Sequence, residues 1–284
     1  MRTTICTVLL MVVFGTSGIA QDGTAQATLL ALQKDEQVLD SLFQALYEGD
    51  ESDREHVQSN ILRLLPEALV KEGAMAYPWR GLSRIGVIQS GDGLVRIFSW
   101  HIRETPDSYT YYAFAQVSDK KGSPEVYPFS DNGKPQRNAS IVDQTTENWY
   151  GKLYYRIIEK EEKRNTYYTL LGMDFNSSLS IIKSAEVLEL HRTGPRFVKG
   201  MFHEGGDRGA NDTDRFLLEY STRVSVSLQY DENLGLITFN HLVPMHPIYE
   251  GNFEFYEPDG SYDAFEFVTG TWVKRNDIDA RLGY

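Results

Sequence analysis

The chain has 284 residues, a formal net charge of −12 and a single cysteine, Cys6. This excess of acidic residues argues against a nucleic-acid binder and against a protein that binds membrane surfaces through basic residues. Cys6 lies in an apparent export signal, so the mature protein would hold no disulfide and no cysteine-ligated metal. With 41% hydrophobic residues, a chain of this length can bury a large core without such cross-links.

Residues 1–20 have the organisation of a secretory signal peptide. Arg2 supplies a basic start, residues 5–14 form an apolar run, and Gly18 and Ala20 occupy the −3 and −1 positions of a cleavage site. The apolar run is too short to cross a bilayer, so we expect no transmembrane anchor after cleavage. The sequence therefore predicts an exported protein that is periplasmic or extracellular.

Two amphipathic stretches follow and predict a helical hairpin over residues 21–75. Gly49 marks the end of the first helix, and Ser52 and Glu55 have the spacing of a capping box at the start of the second. Pro66 lacks a backbone donor, so it should kink or split the second helix. Apolar residues recur at helical spacing at Leu29, Leu32, Leu39, Leu42, Phe43 and Leu46, and at Val57, Ile61, Leu64, Leu65, Ala68 and Leu69.

Residues 76–284 are predicted to form one predominantly antiparallel β domain, because the pattern changes to a two-residue alternation. Turn sequences such as those at 90–93 and 258–260 separate the strands, and residues 176–184 are the one predicted helical interruption. We therefore predict an α+β fold in which the hairpin packs on a β meander. The meander would form a sandwich or a barrel, with a few-bladed propeller as the alternative. The predicted strands include 94–101, 109–117, 153–158, 166–171, 186–191, 215–220, 224–231, 236–241, 253–256 and 262–268.

Motifs of known chemistry are incomplete in this chain. His203 and Glu204 begin a zinc-protease motif, but Asp207 stands where a second histidine is required. Ser180 and Lys183 have the serine–lysine spacing of penicillin-binding enzymes, without the further motifs of that class. The sequence has no glycine-rich phosphate-binding motif. These patterns leave the catalytic residues, if the chain has any, unknown.

One oxygen-rich loop is the strongest candidate for a metal site. Calcium prefers carboxylate and carbonyl oxygens on an adaptable backbone, and glycines at 205, 206 and 209 would let this loop fold around an ion. The EF-hand spacing is missing, so a solvated acidic loop is the alternative. Calcium is the only cofactor that the sequence predicts. Its side-chain ligands would be Asp207, Asn211, Asp212 and Asp214.

Segments such as 92–100 (DGLVRIFSW) and 149–155 (WYGKLYY) are packing and turn motifs that lie between about residues 84 and 277. With the other segments given below, they resemble a family of uncharacterised exported proteins of Bacteroidetes. The resemblance implies a Gram-negative envelope protein without implying an activity or functional residues. The segments are 92–100 (DGLVRIFSW), 149–155 (WYGKLYY), 168–172 (YTLLG), 219–221 (EYS) and 256–263 (YEPDGSYD).

The chain is rich in aromatic residues, which can serve either binding or packing. The chain has 17 Tyr, 14 Phe and 4 Trp, and exposed rings can stack on sugars, although most rings in such a chain pack between strands. We therefore predict a non-catalytic binding or scaffold protein whose partner is a glycan or another envelope component. A glycosidase needs only two carboxylates and the chain has 40 acidic residues, so an envelope hydrolase, with or without a divalent metal, is the alternative.

Overall fold

The computed structural model describes residues 17–118, 124–131, 145–205 and 212–278. Most of the predicted export signal, residues 1–16, lies outside these ranges. The helices are α1 (Ser17–Glu48) and α2 (Arg54–Leu69). The strands are β1 (Gly86–Gln89), β2 (Val95–Thr105), β3 (Ser108–Ser118), β4 (Pro124–Phe129), β5 (Leu153–Glu162), β6 (Asn165–Asp174), β7 (Ser180–His191), β8 (Gly194–Phe197), β9 (Phe202–His203), β10 (Asp212–Thr213), β11 (Arg215–Ser221), β12 (Leu228–Asp231), β13 (Leu236–Pro244), β14 (Tyr256–Val268) and β15 (Thr271–Arg275).

The two helices form the predicted antiparallel pair. α1 ends at Glu48, one residue before the predicted stop at Gly49. The link to α2 is only a few residues long, and Lys71, just beyond the end of α2, returns to Asp35 in the middle of α1 with an Nζ–Oδ2 distance of 2.6 Å. None of the helices in the described ranges is long and apolar enough to cross a membrane.

The start and the interior of α2 differ from the sequence prediction. The capping box is wrong, because Glu51–Asp53 form a 3₁₀ turn that takes Ser52 away from the N-cap, and Asp53 at that position makes no side-chain capping bond. α2 is not split at Pro66 but continues to Leu69. Pro66 lies in the last turn, so its missing N–H removes one intrahelical hydrogen bond and only three helical residues follow it.

The described part of the β domain forms three sheets. Sheet 1 is the meander β1-β2-β3-β4, and sheet 2 has the order β11-β7-β6-β5, with β8 also paired to β7. Sheet 3 has the order β10-β9-β15-β14-β13-β12. The strand pairs are antiparallel except for β9 and β15, which are parallel. At one edge Tyr154 N–H of β5 donates to Ser99 Oγ of β2 (3.0 Å), so sheets 1 and 2 curl towards each other there.

The helix pair and the three sheets stack as four layers, with an apolar core between each pair of neighbouring layers. The first joins the helices to one face of sheet 1, the second lies between sheets 1 and 2, and the third lies between sheets 2 and 3. Representative residues are Phe43, Leu65, Phe98 and Trp100 in the first, Ile97, Tyr111, Leu170 and Leu188 in the second, and Val187, Phe216, Phe239 and Phe265 in the third. The prediction of an α+β fold, with a helical hairpin packed on a predominantly antiparallel β domain, is confirmed.

Some local predictions in the β domain are wrong. Residues 176–184 hold no helix, because β7 begins at Ser180 and pairs with β11 from there. The predicted strand 253–256 is mainly a 3₁₀ turn, Phe253–Phe255. The predicted turn at 258–260 lies inside β14, where a register shift against β13 and Gly260 at φ +95° form a bulge.

Candidate binding cleft

A small cleft opens between β3 of sheet 1 and the end of β6 of sheet 2. Its volume is about 40 Å³, which is room for one small chemical group. The lining residues come from β3, from the end of β6, and from the segments that flank β4 and β5. They are Tyr109, Tyr111, Asp131, Tyr150, Gly151, Asp174, Phe175 and Asn176.

Two tyrosines hold the carboxylate of Asp174 at the base of the cleft. Tyr111 OH donates to Asp174 Oδ1 (2.8 Å) and Tyr150 OH donates to Asp174 Oδ2 (2.6 Å). Tyr111 OH also accepts the backbone N–H of Phe175 (2.8 Å), which fixes its direction. Burial, followed by the nearby negative charge of Asp174, raises the pKa of both tyrosines far above the usual range. Both hydroxyls therefore remain donors, and the carboxylate has a fixed orientation.

Aromatic rings form the mouth of the cleft. Tyr109 and Phe175 are half-buried, and their ring centroids are 5.3 Å apart. The His101 ring packs against both, at 5.4 Å from Tyr109 and 5.2 Å from Phe175. Burial lowers the pKa of His101 below its usual value, so this ring is neutral at pH 7. The mouth is thus an uncharged aromatic surface beside a buried carboxylate.

Asp131 is the second carboxylate that lines the cleft, and its position requires a glycine at residue 151. Asp131 Oδ2 accepts the backbone N–H of Tyr111 (3.2 Å). A Cβ atom on Gly151 would lie 2.3 Å from that oxygen, so any larger residue at 151 would push the carboxylate away. Because Gly151 has no side chain, the backbone just before β5 can lie close to the Asp131 carboxylate.

Three charged side chains form a buried network next to the cleft. Glu186 of β7 lies opposite Arg215 of β11, and Arg215 Nε donates to Glu186 Oε2 (3.2 Å). Lys152 Nζ lies 3.1 Å from Glu186 Oε1, although it makes no well-aligned hydrogen bond, and the side chains of Lys152 and Glu186 are fully buried. The hydroxyl of Tyr154 also donates to Glu186.

This network shares Tyr150 with the cleft. Lys152 Nζ lies 4.5 Å from the centroid of the Tyr150 ring, whose hydroxyl donates to Asp174. Burial lowers the pKa of Lys152 to about 8, although Glu186 opposes the shift. Burial alone would raise the pKa of Glu186, but Lys152 and Arg215 outweigh it and hold that pKa below the usual range. The ionised triad therefore fixes the ring that supports the cleft.

The polar groups that line the cleft are two carboxylates, an amide and tyrosine hydroxyls. Among its eight described lining residues there is no serine, threonine, cysteine or histidine. Asp174, the more deeply buried acid, is held by two tyrosine hydroxyls that stay protonated. Such a carboxylate is suited to accept hydrogen bonds from a ligand and poorly suited to exchange protons with it.

The residues of the predicted calcium loop are only partly described. Asp207 and Asn211 lie outside the described ranges. Asp212 Oδ1 lies 2.6 Å from His203 Nδ1, and Asp214 accepts the backbone N–H of Gly200 (2.8 Å). In the part of the chain that the structure covers, no group of three or more His, Cys, Asp or Glu side chains could hold a metal ion. The calcium site stays a prediction.

The serine–lysine pattern at Ser180 and Lys183 forms no catalytic pair. Residues three apart in a strand point to opposite faces of the sheet. Ser180 Oγ donates to Glu219 Oε1 (2.8 Å), while Lys183 Nζ lies 5.8 Å from the Tyr155 ring. The extended conformation of β7 therefore separates two groups that a helix would have brought together.

Sheet 3 carries a second histidine–aspartate pair at the edge of the third core. His241 Nδ1 lies 3.0 Å from Asp263 Oδ2, and Lys274 Nζ lies 3.2 Å from the same oxygen. The backbone N–H of Asp277 donates to the other oxygen (3.2 Å). Burial alone would raise the pKa of Asp263, but these hydrogen bonds outweigh it and hold the pKa below its usual range.

This depressed pKa predicts an acid-dependent loss of stability. The ionised Asp263 stabilises the folded state above the pKa of an unfolded aspartate, and this contribution is lost as the pH falls through the folded pKa. We expect the free energy of unfolding to fall as the pH drops below about 4, the pKa of an unfolded aspartate, and Asp263→Asn to remove part of that dependence. Urea denaturation across this pH range measures it; an unchanged slope in the variant would contradict the assignment.

Comparison with known proteins adds no relative. No family model, no curated protein and no solved structure matches the chain. The assignment of function therefore depends on the chemistry of the described residues.

Sequence reasoning missed the cleft residues Tyr109, Tyr111 and Asp174 because sequence alone does not show which strands face each other. One signal was present in β7. The positions of β7 that face sheet 1 are Ile182, Ser184, Glu186 and Leu188, so the glutamate interrupts a buried face. A charged residue at an inward position requires a buried partner, and that requirement points to a polar network.

Proposed function

We propose that the protein is an exported, non-catalytic binding protein that takes one polar substituent of an envelope glycan into the cleft. The observation that carries this proposal is the combination of half-exposed rings at the mouth with two carboxylates inside. Tyr109 and Phe175 offer ring surfaces, and Asp131 and Asp174 offer oxygen acceptors a short distance further in.

Sugars have surfaces that match this combination. The C–H face of a pyranose ring packs on an aromatic ring, while its hydroxyl or amino groups donate to carboxylates. A cavity of about 40 Å³ is too small for a whole sugar ring. The ring would therefore lie against Tyr109 and Phe175 at the mouth, with a single hydroxymethyl or amino substituent directed towards Asp174.

A hydrolase is the second candidate, because the structure contains two histidine–aspartate pairs. His203 pairs with Asp212 and His241 with Asp263. A nucleophilic mechanism also needs a serine, threonine or cysteine within hydrogen-bond reach of the histidine. Among the described residues neither histidine hydrogen-bonds such a side chain. A glycosidase would instead use two carboxylates, but Asp174 in the cleft is held by two tyrosine hydroxyls that stay protonated, so we favour binding.

A sugar titration tests the proposal. Glucose, glucosamine and N-acetylglucosamine are titrated into the full chain and followed by calorimetry and by NMR shifts of tyrosine rings. We expect Tyr109→Ala to weaken the sugar that binds best by about tenfold, since it removes a ring surface at the mouth. Tyr262→Ala, on sheet 3, is the control and should bind as the wild type does, because sheet 2 separates it from the cleft.

Two results would contradict the proposal. Equal sugar affinity in the wild type and in Tyr109→Ala would place binding elsewhere, and absence of binding for all three sugars would remove the glycan class. Release of reducing sugar from an oligosaccharide by the wild type would favour the hydrolase instead.

A further inference from the structure

The connection between β13 and β14 is longer and more structured than a tight hairpin turn. We call residues 245–256 the aromatic turn. It contains the 3₁₀ turns Pro247–Tyr249 and Phe253–Phe255. Tyr249 stacks on Phe255 with ring centroids 4.4 Å apart and an interplanar angle of 21°. Phe253 and Tyr256 form a second ring pair at 4.7 Å.

Hydrogen bonds hold the backbone of the aromatic turn in place. Met245 N–H donates to Phe255 O (2.9 Å), which closes the base of the turn. Inside it, Asn252 N–H donates to Tyr249 O (2.9 Å) and Gly251 N–H donates to Tyr256 OH (3.0 Å). The surface is therefore preorganised, and a partner would have little backbone to order on binding.

The tip of the aromatic turn exposes apolar side chains. Ile248 is 78% exposed, more than any other large hydrophobic residue in the part of the chain that the structure describes. Tyr249, its neighbour, is 36% exposed. An aliphatic side chain held out by a rigid turn is the kind of anchor that fills a pocket on a protein partner.

The segment that holds this apolar tip is acidic. Residues 244–262 contain Glu250, Glu254, Glu257 and Asp259 but no lysine or arginine. Within the described ranges, none of the four carboxylates belongs to a salt bridge of this chain. The charged side chains of this segment are thus all carboxylates, and their charge complement is a partner with basic side chains.

We propose that the aromatic turn is the docking surface for a basic segment of another protein, one that combines lysine or arginine with apolar residues. Ile248 and Tyr249 would contact the apolar residues, and Glu250 and Glu254 would contact the basic ones. The carboxylates would repel an anionic membrane surface. Ile248 has neither a ring to stack on sugars nor a hydrogen-bonding group, which disfavours a glycan here. This surface is independent of the cleft.

A peptide-binding experiment tests the surface. The probe is a fluorescent synthetic peptide rich in lysine and leucine, and its counterpart has glutamate in place of every lysine. Anisotropy is measured with the full chain at low and moderate salt. We expect the lysine peptide alone to bind, and Ile248→Asp and the double variant Glu250→Lys/Glu254→Lys each to weaken it by about tenfold.

Matched variants separate a specific surface from general attraction to an acidic protein. Leu234→Asp alters another exposed apolar residue, in the turn between β12 and β13, and Glu104→Lys/Glu161→Lys reverses two exposed charges elsewhere. These controls should bind the lysine peptide as the wild type does. Equal weakening by control and turn variants, binding of the glutamate peptide, or turn-dependent binding to phosphatidylglycerol vesicles or dextran would overturn the proposal. The altered side chains are exposed, and unchanged urea denaturation of each variant confirms that it folds.

Discussion

Glu186→Gln is expected to lower the free energy of unfolding by about 3–5 kcal/mol. The substitution keeps the shape of the side chain but removes the charge that both Lys152 and Arg215 face in the buried network. Two cations would then remain buried beside each other without their counterion. Urea denaturation of the variant against the wild type measures the loss.

The network also predicts an asymmetry between its members. Lys152→Met should cost less than Glu186→Gln, because it leaves the neutral pair of Glu186 and Arg215. Glu232→Gln is the matched control, since the pair of Glu232 with Arg156 is largely exposed, and its removal should change stability by about 0.5 kcal/mol or less. If Glu186→Gln cost no more than this exposed control, the buried triad would not be ionised as described.

Trp100→Ala should be the most disruptive change in the first core, with an expected loss of about 3–5 kcal/mol. The fully buried Trp100 ring packs edge-on against Phe43 of α1 and stacks on Tyr112 of β3, with centroid distances of 5.5 Å in each case. Its indole N–H donates to Gln58 of α2 (3.2 Å). For a chain of this size we expect the melting temperature to fall by about 6–20 °C.

The same variant tests whether the helix pair and sheet 1 unfold together. Helical circular dichroism and tryptophan fluorescence should report one shared transition in the wild type, and the transition should move as a whole in Trp100→Ala. Leu62→Ala is the control, because that side chain is 39% exposed on α2 and should change little. A separate helical transition in the wild type would show that the helices do not depend on the sheet.

The sequence predicted the elements whose pattern repeats over many residues. The apolar stripes of α1 and α2 and the alternation in most strands are such patterns, and the fold class follows from them. Predictions that depended on a few local residues did less well. Ser52 had the capping-box spacing, yet the 3₁₀ turn before α2 displaced it, and residues 258–260 had a turn sequence that β14 accommodates as a bulge.

The cleft could not be predicted from the sequence, for a physical reason. Tyr111, Asp131, Tyr150 and Asp174 meet because sheets 1 and 2 stack with one particular register, and no periodic pattern encodes the contact between two sheets. The candidate calcium ligands Asp212 and Asp214 show that residues close in sequence can have side chains with different partners. They are neighbours in sequence, yet one contacts His203 and the other the backbone at Gly200.

The parallel pairing of β9 with β15 has a consequence for the order in which the chain can fold. Phe202 lies opposite Trp272, so this contact closes a loop of about 70 residues and carries a corresponding entropic cost. During synthesis the helix pair and sheet 1, which are built from local contacts, are complete long before β15 leaves the ribosome. Until then the two short strands β9 and β10 can pair only with each other, because β15 alone joins them to the rest of sheet 3 in the described ranges. In a nascent chain stalled before Thr271, the edge of sheet 3 that holds β9 and β10 would therefore be incompletely paired. Protease would cleave the chain around these two strands first.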